Sequence, residues 1–134
     1  AFAIGNACKE LETGVYVANA TKEWLSPELL PAVVFIISSF IAFSTGTSWG
    51  TFAIMLAISV PMANIHNADL TIVVAATLGG GIFGDHCSPI SDTSIISSMA
   101  SASDHIDHVK TQLPYALVGG AITVLLYLAF GYFG

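Results

Sequence analysis

Charged side chains are scarce in this sequence, and positive charge is the scarcest. The 134 residues include three lysines, no arginine and nine acidic residues, giving a formal net charge of −6. Proteins that bind nucleic acid neutralise phosphates with patches of Lys and Arg. No such patch exists here, so nucleic acid is excluded as a partner.

Cysteine is also rare. Cys8 lies near an apolar end and Cys87 beside the central carboxylates, so we expect no disulfide, and two cysteines indicate no compartment. The sequence opens at Ala1 without Met or a signal-peptide pattern, on an apolar stretch that looks like the tail of a helix. We therefore expect a fragment of a longer membrane protein.

Long apolar runs are what the sequence has instead. Hydrophobic residues make up 54% and charged residues 9%, against about 25% charged in ordinary soluble domains. No Lys, Arg, Asp or Glu occurs between Glu28 and Asp69, or after Lys110. Since about 20 apolar residues in a helix span a bilayer, the composition predicts an all-α membrane protein that contacts lipid.

Residues 28–63 are apolar but too long for one crossing. As a single helix they would extend roughly 54 Å, against a hydrocarbon core of about 30 Å. Small and polar residues at 44–51 interrupt the run, and each arm of about 15 residues would pass the midplane without crossing. We predict a re-entrant helical hairpin with its tip at 44–51 and its second arm ended by Pro61 and residues 64–67; a steeply tilted broken helix is the alternative.

The other segments complete the predicted architecture. Residues 69–103 predict a discontinuous helix that is broken at 84–92 by Gly, Pro and polar residues. Residues 113–133 predict a spanning helix with Pro114 in its first turn. Residues 1–8 predict the end of a membrane helix that is followed by a polar stretch, and a second polar string covers 104–110.

Two carboxylates, Asp85 and Asp92, lie at the break in otherwise apolar sequence. Ionisable groups at membrane depth usually mark ion or proton pathways. Asp92 has a structural explanation, because the first turn of a half-helix capped by Ser88 favours an acid. Asp85 lies at the negative end of the preceding half-helix, where an anion is disfavoured unless a cation or proton joins it. Asp85 is therefore the better candidate for a functional carboxylate.

Both breaks offer oxygen atoms to a cation. Sodium prefers oxygen ligands, as calcium and magnesium do, and a carboxylate in a low dielectric binds protons more readily, so one group can bind either ion. We predict sodium ligands at Asp85, Asp92, Thr47 and Ser48, and consider His86 as a proton relay or as a group that orients a carboxylate. The cation- or proton-binding candidates as a whole are Asp85, Asp92, Thr45, Thr47, Ser48, Thr51, Ser88, Ser91 and Thr93.

Two patterns are similar to enzyme motifs. Residues 46–50 match the G-x-S-x-G of serine hydrolases, but that motif needs a preceding strand, and apolar runs flank it here. Gly84-Asp85 resembles the motif of intramembrane aspartyl proteases, although the glycine spacing differs and Asp92 lies only seven residues away across a proline. We predict no enzyme activity and no resident cofactor; an intramembrane protease is the alternative from another class.

Four strings resemble the C-terminal half of the NhaC-type sodium/proton antiporters: residues 5–11, 45–51, 83–93 and 104–117. The resemblance covers nearly the whole chain. It implies membership of the ion-transporter superfamily, in which two inverted repeats each hold a re-entrant hairpin and a discontinuous helix. The hairpin tip is then expected to face the break at 85–92 and to form half of the transport site.

The resemblance also implies the setting of the protein. We expect a multi-pass protein of the bacterial inner membrane, commonly a homodimer, whose missing N-terminal repeat supplies the other half of the site. The expected function is the exchange of sodium, as substrate or coupling ion, for protons. Relatives also couple sodium to organic acids or carry amino acids, so a sodium-coupled organic acid or amino acid carrier is the alternative.

Overall fold

The chain folds entirely into helices in the part that the structure describes. A computed structural model covers residues 2–133, which form seven α-helices and no strand. Three helices, α4, α5 and α7, are long and apolar enough to cross a membrane. The predicted class, an all-α membrane protein, is confirmed. The helices are α1 (Phe2–Glu10), α2 (Thr13–Thr21), α3 (Leu30–Thr45), α4 (Ser48–His66), α5 (Leu70–Cys87), α6 (Asp92–Ala100) and α7 (His105–Phe133).

The contact between α3 and α5 is the most extensive in the bundle. Gly80 and Gly84, one turn apart on α5, pack against the backbone of Phe35 and Ser39 on α3. The contacts advance in the same direction along both helices, so α3 and α5 are parallel. Glycine allows this close approach, which matters in a membrane because lipid is as apolar as the side chains and packing drives helix association.

Helix α4 runs antiparallel to α5. Thr77 Oγ1 donates to Ser59 Oγ over 2.9 Å at mid-helix, and Ser48 Oγ donates to Asp85 Oδ2 over 3.4 Å near the end of α5. Because α3 is parallel to α5, α3 and α4 are the antiparallel arms of a hairpin. The tip of that hairpin lies beside the C-terminal end of α5.

Helix α7 packs antiparallel against α3 and α5 through aromatic side chains. The ring of Phe35 lies 5.7 Å from that of Phe83 and 5.5 Å from that of Tyr127, centroid to centroid. Gly120 accommodates the edge of Phe83. Most other side chains of α7 are exposed, so one long apolar face of this helix is left for lipid or for another protein segment.

The hairpin differs from the predicted one in the length of its arms and in its tip. Helix α3 has 16 residues and α4 has 19, where about 15 each are predicted. Helix α4 continues through Pro61 and ends at His66, with Asn67 in the left-handed conformation at φ 54°. Asn adopts this conformation more readily than most residues, so it provides the helix end that Pro61 does not. The tip between the two helices consists of Gly46 and Thr47, where residues 44–51 are predicted.

The discontinuous helix also has narrower bounds than predicted. Helix α5 reaches Cys87 and α6 starts at Asp92, so the break covers residues 88–91 rather than 84–92. Helix α6 ends at Ala100, close to the predicted end at 103.

The last helix begins eight residues earlier than the predicted 113–133. Asp104 Oδ1 accepts hydrogen bonds from the backbone N–H of Ile106 at 2.9 Å and of Asp107 at 3.2 Å. This is the geometry of an N-terminal cap. The polar string after Asp104 is therefore the first part of α7, and Pro114 lies inside the helix.

The N-terminal segment differs most from the prediction. A membrane helix ending at residue 8 is predicted before a polar stretch, whereas α1 continues to Glu10 and a second helix follows from Thr13 to Thr21; Ala1 lies outside the described residues. Both helices pack along α4, with Gly5 against Ala53 and Gly14 against Ala57. Close packing of glycine on α4 stabilises a second helix that the polar sequence does not predict.

Candidate cation site at three helix ends

The site is organised around Asp85, a carboxylate that is only 2% exposed. Asp85 belongs to the last turn of α5, which ends at Cys87. The N-terminal end of α4 reaches it through Ser48, and the N-terminal end of α6 through Ser91 and Thr93. Three helix ends therefore meet at one acidic side chain.

Three hydroxyl groups contact the carboxylate. Ser91 Oγ donates to Asp85 Oδ1 over 2.8 Å, while Thr93 Oγ1 and Ser48 Oγ donate to Oδ2 over 3.2 Å and 3.4 Å. No basic side chain is among these contacts. The carboxylate is thus held by neutral hydroxyl donors, whose lone pairs lie close to it.

The hydroxyl groups around Asp85 also contact each other. Ser91 Oγ lies 2.7 Å from Thr93 Oγ1, so with the carboxylate they form a triangle of O···O contacts at 2.7, 2.8 and 3.2 Å. Each hydroxyl has one hydrogen to donate, so Thr93 can donate either to Ser91 Oγ or to Asp85 Oδ2 but not to both. Lone pairs of the hydroxyl and carboxylate oxygens lie close together here, where a proton on Asp85 or a cation would find several oxygen partners.

The helix dipoles at Asp85 act in opposite directions. The C-terminal end of α5 disfavours a negative charge, whereas the N-terminal ends of α4 and α6 favour one. The interpretation that Asp85 has no structural reason for its position is therefore incomplete, because the sequence does not reveal that two positive helix ends converge on it. The site can therefore accommodate a negative charge on Asp85, and its hydroxyl and carboxylate oxygens can also coordinate a cation.

The hairpin tip is fixed by local hydrogen bonds and by contact with the break. Thr47 caps α4 by accepting from the N–H of Gly50 at 3.5 Å, and the buried Thr51 donates to the Thr47 carbonyl oxygen at 2.9 Å. Gly46 has φ 66°, and a Cβ there would lie 2.8 Å from the carbonyl oxygen of Ile90. Only glycine fits this left-handed turn against the break.

The remaining candidate residues do not reach the carboxylate. Thr45 Oγ1 donates to its own helix, to Ile41 O at 2.9 Å. Asp92 is exposed in the first turn of α6, as its structural explanation predicts. His86 is exposed, and its Nδ1 lies 3.1 Å from Ile82 O. Ser88 is buried but accepts from the N–H of Ile90.

Sequence reasoning lists Ser91 and Thr93 among nine candidates and expects the hairpin tip to face the break, but it does not single out Ser91 and Thr93 as the contacts of Asp85 or Gly46 as the contact of Ile90. Ser91 is the N-cap of α6, where its Oγ accepts from the N–H of Ser94 at 3.5 Å. A Ser followed by Asp92 is a recognisable start of a helix. If the start of the second half-helix is predicted at Ser91 rather than at Ser88, Ser91 and Thr93 are expected to face the C-terminal end of α5.

A buried carboxylate contacted by hydroxyl groups, at the break between a helix of membrane length and a short helix, is an arrangement found in secondary transporters. The sequence profile described as the Na+/H+ antiporter family matches residues 1–132. The chain belongs to this family, and it is a transporter component rather than an enzyme. The family membership and the exposed position of Asp92 argue against the protease alternative.

Curated relatives span a range of named activities. An uncharacterized protein of Haemophilus influenzae is 41% identical over 98% of the chain and 26% of its own length. The "Malate-2H(+)/Na(+)-lactate antiporter" of Bacillus subtilis is 31% identical over 82% of the chain and 24% of its own length. The "Na(+)/H(+) antiporter NhaC" of Alkalihalophilus pseudofirmus is 32% identical over 80% of the chain and 23% of its own length.

The chain thus spans about a quarter of the length of the curated relatives it matches. No solved structure shows a significant match. The activities named for these relatives therefore belong to proteins about four times as long as this chain.

Proposed function

We propose that the full-length protein containing this chain exchanges sodium for protons across a bacterial inner membrane, and that Asp85 binds the transported ions alternately. The observation that carries the proposal is the buried carboxylate of Asp85, whose side-chain contacts are three hydroxyl groups and no basic side chain. A proton or a sodium ion can neutralise this carboxylate, and the two cannot bind it together. Competition for one carboxylate is the minimal chemistry of an antiporter.

The ligand set follows from the oxygen atoms around Asp85. In the sodium-bound form, Asp85 supplies a carboxylate oxygen, and Ser48, Ser91 and Thr93 turn their lone pairs toward the ion. In the proton-bound form, the carboxyl hydrogen is donated within the triangle and both hydroxyls keep a partner. Thr47 and Thr51 shape the tip that presents Ser48. Asp92, Thr45 and His86 are outside this ligand set.

The finer architecture belongs to the same proposal. The hairpin of α3 and α4 is re-entrant, with its tip against the break between α5 and α6, because neither element can leave polar backbone facing lipid. The contact of Gly46 with Ile90 supports this arrangement. An inverted repeat elsewhere in the full-length protein supplies the opposing half, and alternating access moves one half against the other.

Coupling of sodium to an organic acid is the second candidate function. The Bacillus subtilis relative is named for malate and lactate. A groove of about 500 Å³ between α5 and α7 begins at His86, the residue after Asp85, and is apolar except for a few polar groups such as Gln112 and Thr123.

The test uses the full-length protein in liposomes with a sodium gradient and an internal pH indicator. We expect sodium-dependent proton flux that Asp85→Asn abolishes, because the amide can neither take up a proton nor neutralise sodium. Asp69→Asn is the matched control at the opposite end of α5: Asp69 caps Ile72 N–H at 3.1 Å, and Asn caps equally well. Near wild-type flux in Asp85→Asn would refute the assignment, and flux only with malate or lactate would favour the second function.

A further inference from the structure

The break between α1 and α2 is a second interruption of a helix, and it carries charged residues. Helix α1 ends at Glu10, and Glu12 takes the left-handed conformation at φ 50° before α2 starts at Thr13. Lys9, Glu10, Leu11 and Glu12 are all exposed, Leu11 by 77%. Glu12 forms no side-chain cap on α2, so the first amides of that helix have no carboxylate partner of their own.

Contacts with α4 place this break along the helix axis. Gly5, before the break, packs on Ala53, and Gly14, after it, packs on Ala57. The break therefore lies opposite the stretch between those two alanines, five to nine residues from the start of α4 at Ser48. At 1.5 Å per residue this is about 8–14 Å from the hairpin tip.

Two placements of the hairpin tip both put the break within the hydrocarbon region. If α4 crosses the whole bilayer, the break is near its middle. If the tip is at the midplane, a point about 8–14 Å away is still inside a half-thickness of roughly 15 Å. Both placements put Glu10 and Glu12 at a depth where lipid tails surround the protein.

Lipid cannot cover such a surface at low cost. Charged side chains at membrane depth face other protein groups or a water-filled cavity, and backbone freed by a break needs hydrogen-bond partners there. The inner faces of α1 and α2 are occupied by α4, so the charged outer face must meet something outside the 134 residues. The curated relatives are about four times as long as this chain, which leaves ample sequence for that role.

We propose that the break at Lys9–Glu12 is a buried polar interface, covered by a membrane helix from the part of the full-length protein outside this chain. Lys9 offsets one of the two acids, so the break has an excess of one negative charge. The covering helix therefore presents a basic or hydrogen-bond-donating side chain opposite Glu10 and Glu12. This interface is independent of which substrate is transported.

The test places a spin label at Leu11 in the full-length protein in liposomes, with Cys8 and Cys87 replaced by alanine. Glu10 and Glu12 stay intact in this variant. We expect low collision rates with both oxygen, which concentrates in lipid, and a water-soluble nickel chelate. High oxygen collision means lipid contact and high nickel collision means an aqueous cavity; either result overturns the proposal. A label at Tyr16, 75% exposed one turn further along, repeats the measurement if Leu11→Cys does not fold.

A charge reversal provides a second readout that does not depend on transport. Glu12→Lys places a positive charge opposite the expected donor, so we expect a lower melting temperature of the full-length protein in detergent. Glu23→Lys is the matched control, because Glu23 is exposed in the connection after α2. Equal melting temperatures for the two variants would contradict the interface.

Discussion

At the scale of single residues, Asp85 shows how a buried acid is held without a basic partner. Its carboxylate contacts Ser48, Ser91 and Thr93, and two helix N-termini oppose the unfavourable dipole of its own helix. Each contribution is modest, and none neutralises the charge. In the function that we propose, a proton or a sodium ion supplies the neutralisation that these contacts leave out.

Ser91 has two roles that substitution can separate. Its Oγ donates to Asp85 and also caps α6. Ser91→Ala removes both interactions, whereas Ser91→Gly removes the hydroxyl but costs the cap only a few tenths of a kcal/mol. Because both variants remove an oxygen that we propose as a sodium ligand, and a contact of a polar group with a charge contributes about 1.5–3 kcal/mol, we expect both to lower apparent sodium affinity by about tenfold or more in liposome flux assays.

Thermal melting distinguishes the two roles. Only Ser91→Ala should also lower the melting temperature, since an alanine cap costs about 1 kcal/mol. An affinity loss confined to Ser91→Ala would show that Ser91 acts on transport only by capping α6.

The sequence identifies the chemistry of this site better than its geometry. Asp85 and Ser48 can be selected from polar residues in apolar runs, and both lie in the cluster. Thr45 and Asp92 satisfy the same pattern, yet Thr45 bonds within its own helix and Asp92 is exposed. Which way a side chain points depends on the position of the break to within one residue, and composition does not fix that position.

At the scale of helices, close glycine contacts determine how the hairpin meets the discontinuous helix. Gly84, the residue before Asp85, packs on the backbone of Ser39. The α3–α5 contact therefore sets the position of the Asp85 carboxylate along the helix axis relative to the hairpin tip. The segments that bring these glycines together are predictable from apolar length. The helix bounds are less predictable. Residues 64–67 contain the actual end of α4, whereas Pro61, predicted beside them, lies inside the helix. The last helix starts after Asp104 rather than at Pro114.

A pair of glycine substitutions tests this packing. A Cβ at Gly84 would collide with the backbone of Ser39, whereas a Cβ at Gly119 on α7 meets nothing within 4 Å. Overpacking costs about 1–3 kcal/mol, so we expect Gly84→Ala to lower the melting temperature and folded yield of the full-length protein. Gly119→Ala should leave both unchanged or slightly raised, because alanine favours a helix by up to about 1 kcal/mol. Equal melting of the two variants would contradict the close α3–α5 contact.

At the scale of the whole molecule, the charged residues between α1 and α2 are the part of the bundle least suited to contact with lipid. In the membrane placement that we propose they lie at hydrocarbon depth, where charged side chains face protein or water. Asp85, by contrast, is already enclosed by α4, α5 and α6 and is 2% exposed. The motif at residues 83–93 predicts the site at Asp85, whereas the polar residues at 9–12 do not predict a broken helix, because they are as typical of a loop.

The last prediction concerns the 134 residues by themselves. We expect the purified chain in liposomes to show no sodium-dependent proton flux, while the full-length protein does. Alternating access requires one half of a transporter to move against another around the site, and this chain supplies one hairpin, one discontinuous helix and one spanning helix, about a quarter of its relatives' length. The measurement pairs a pH-indicator flux assay with the oligomeric state, since two copies could complete a site that one cannot. Robust exchange by a monomer would mean that the oxygen cluster at Asp85 is a complete transport site without an opposing half.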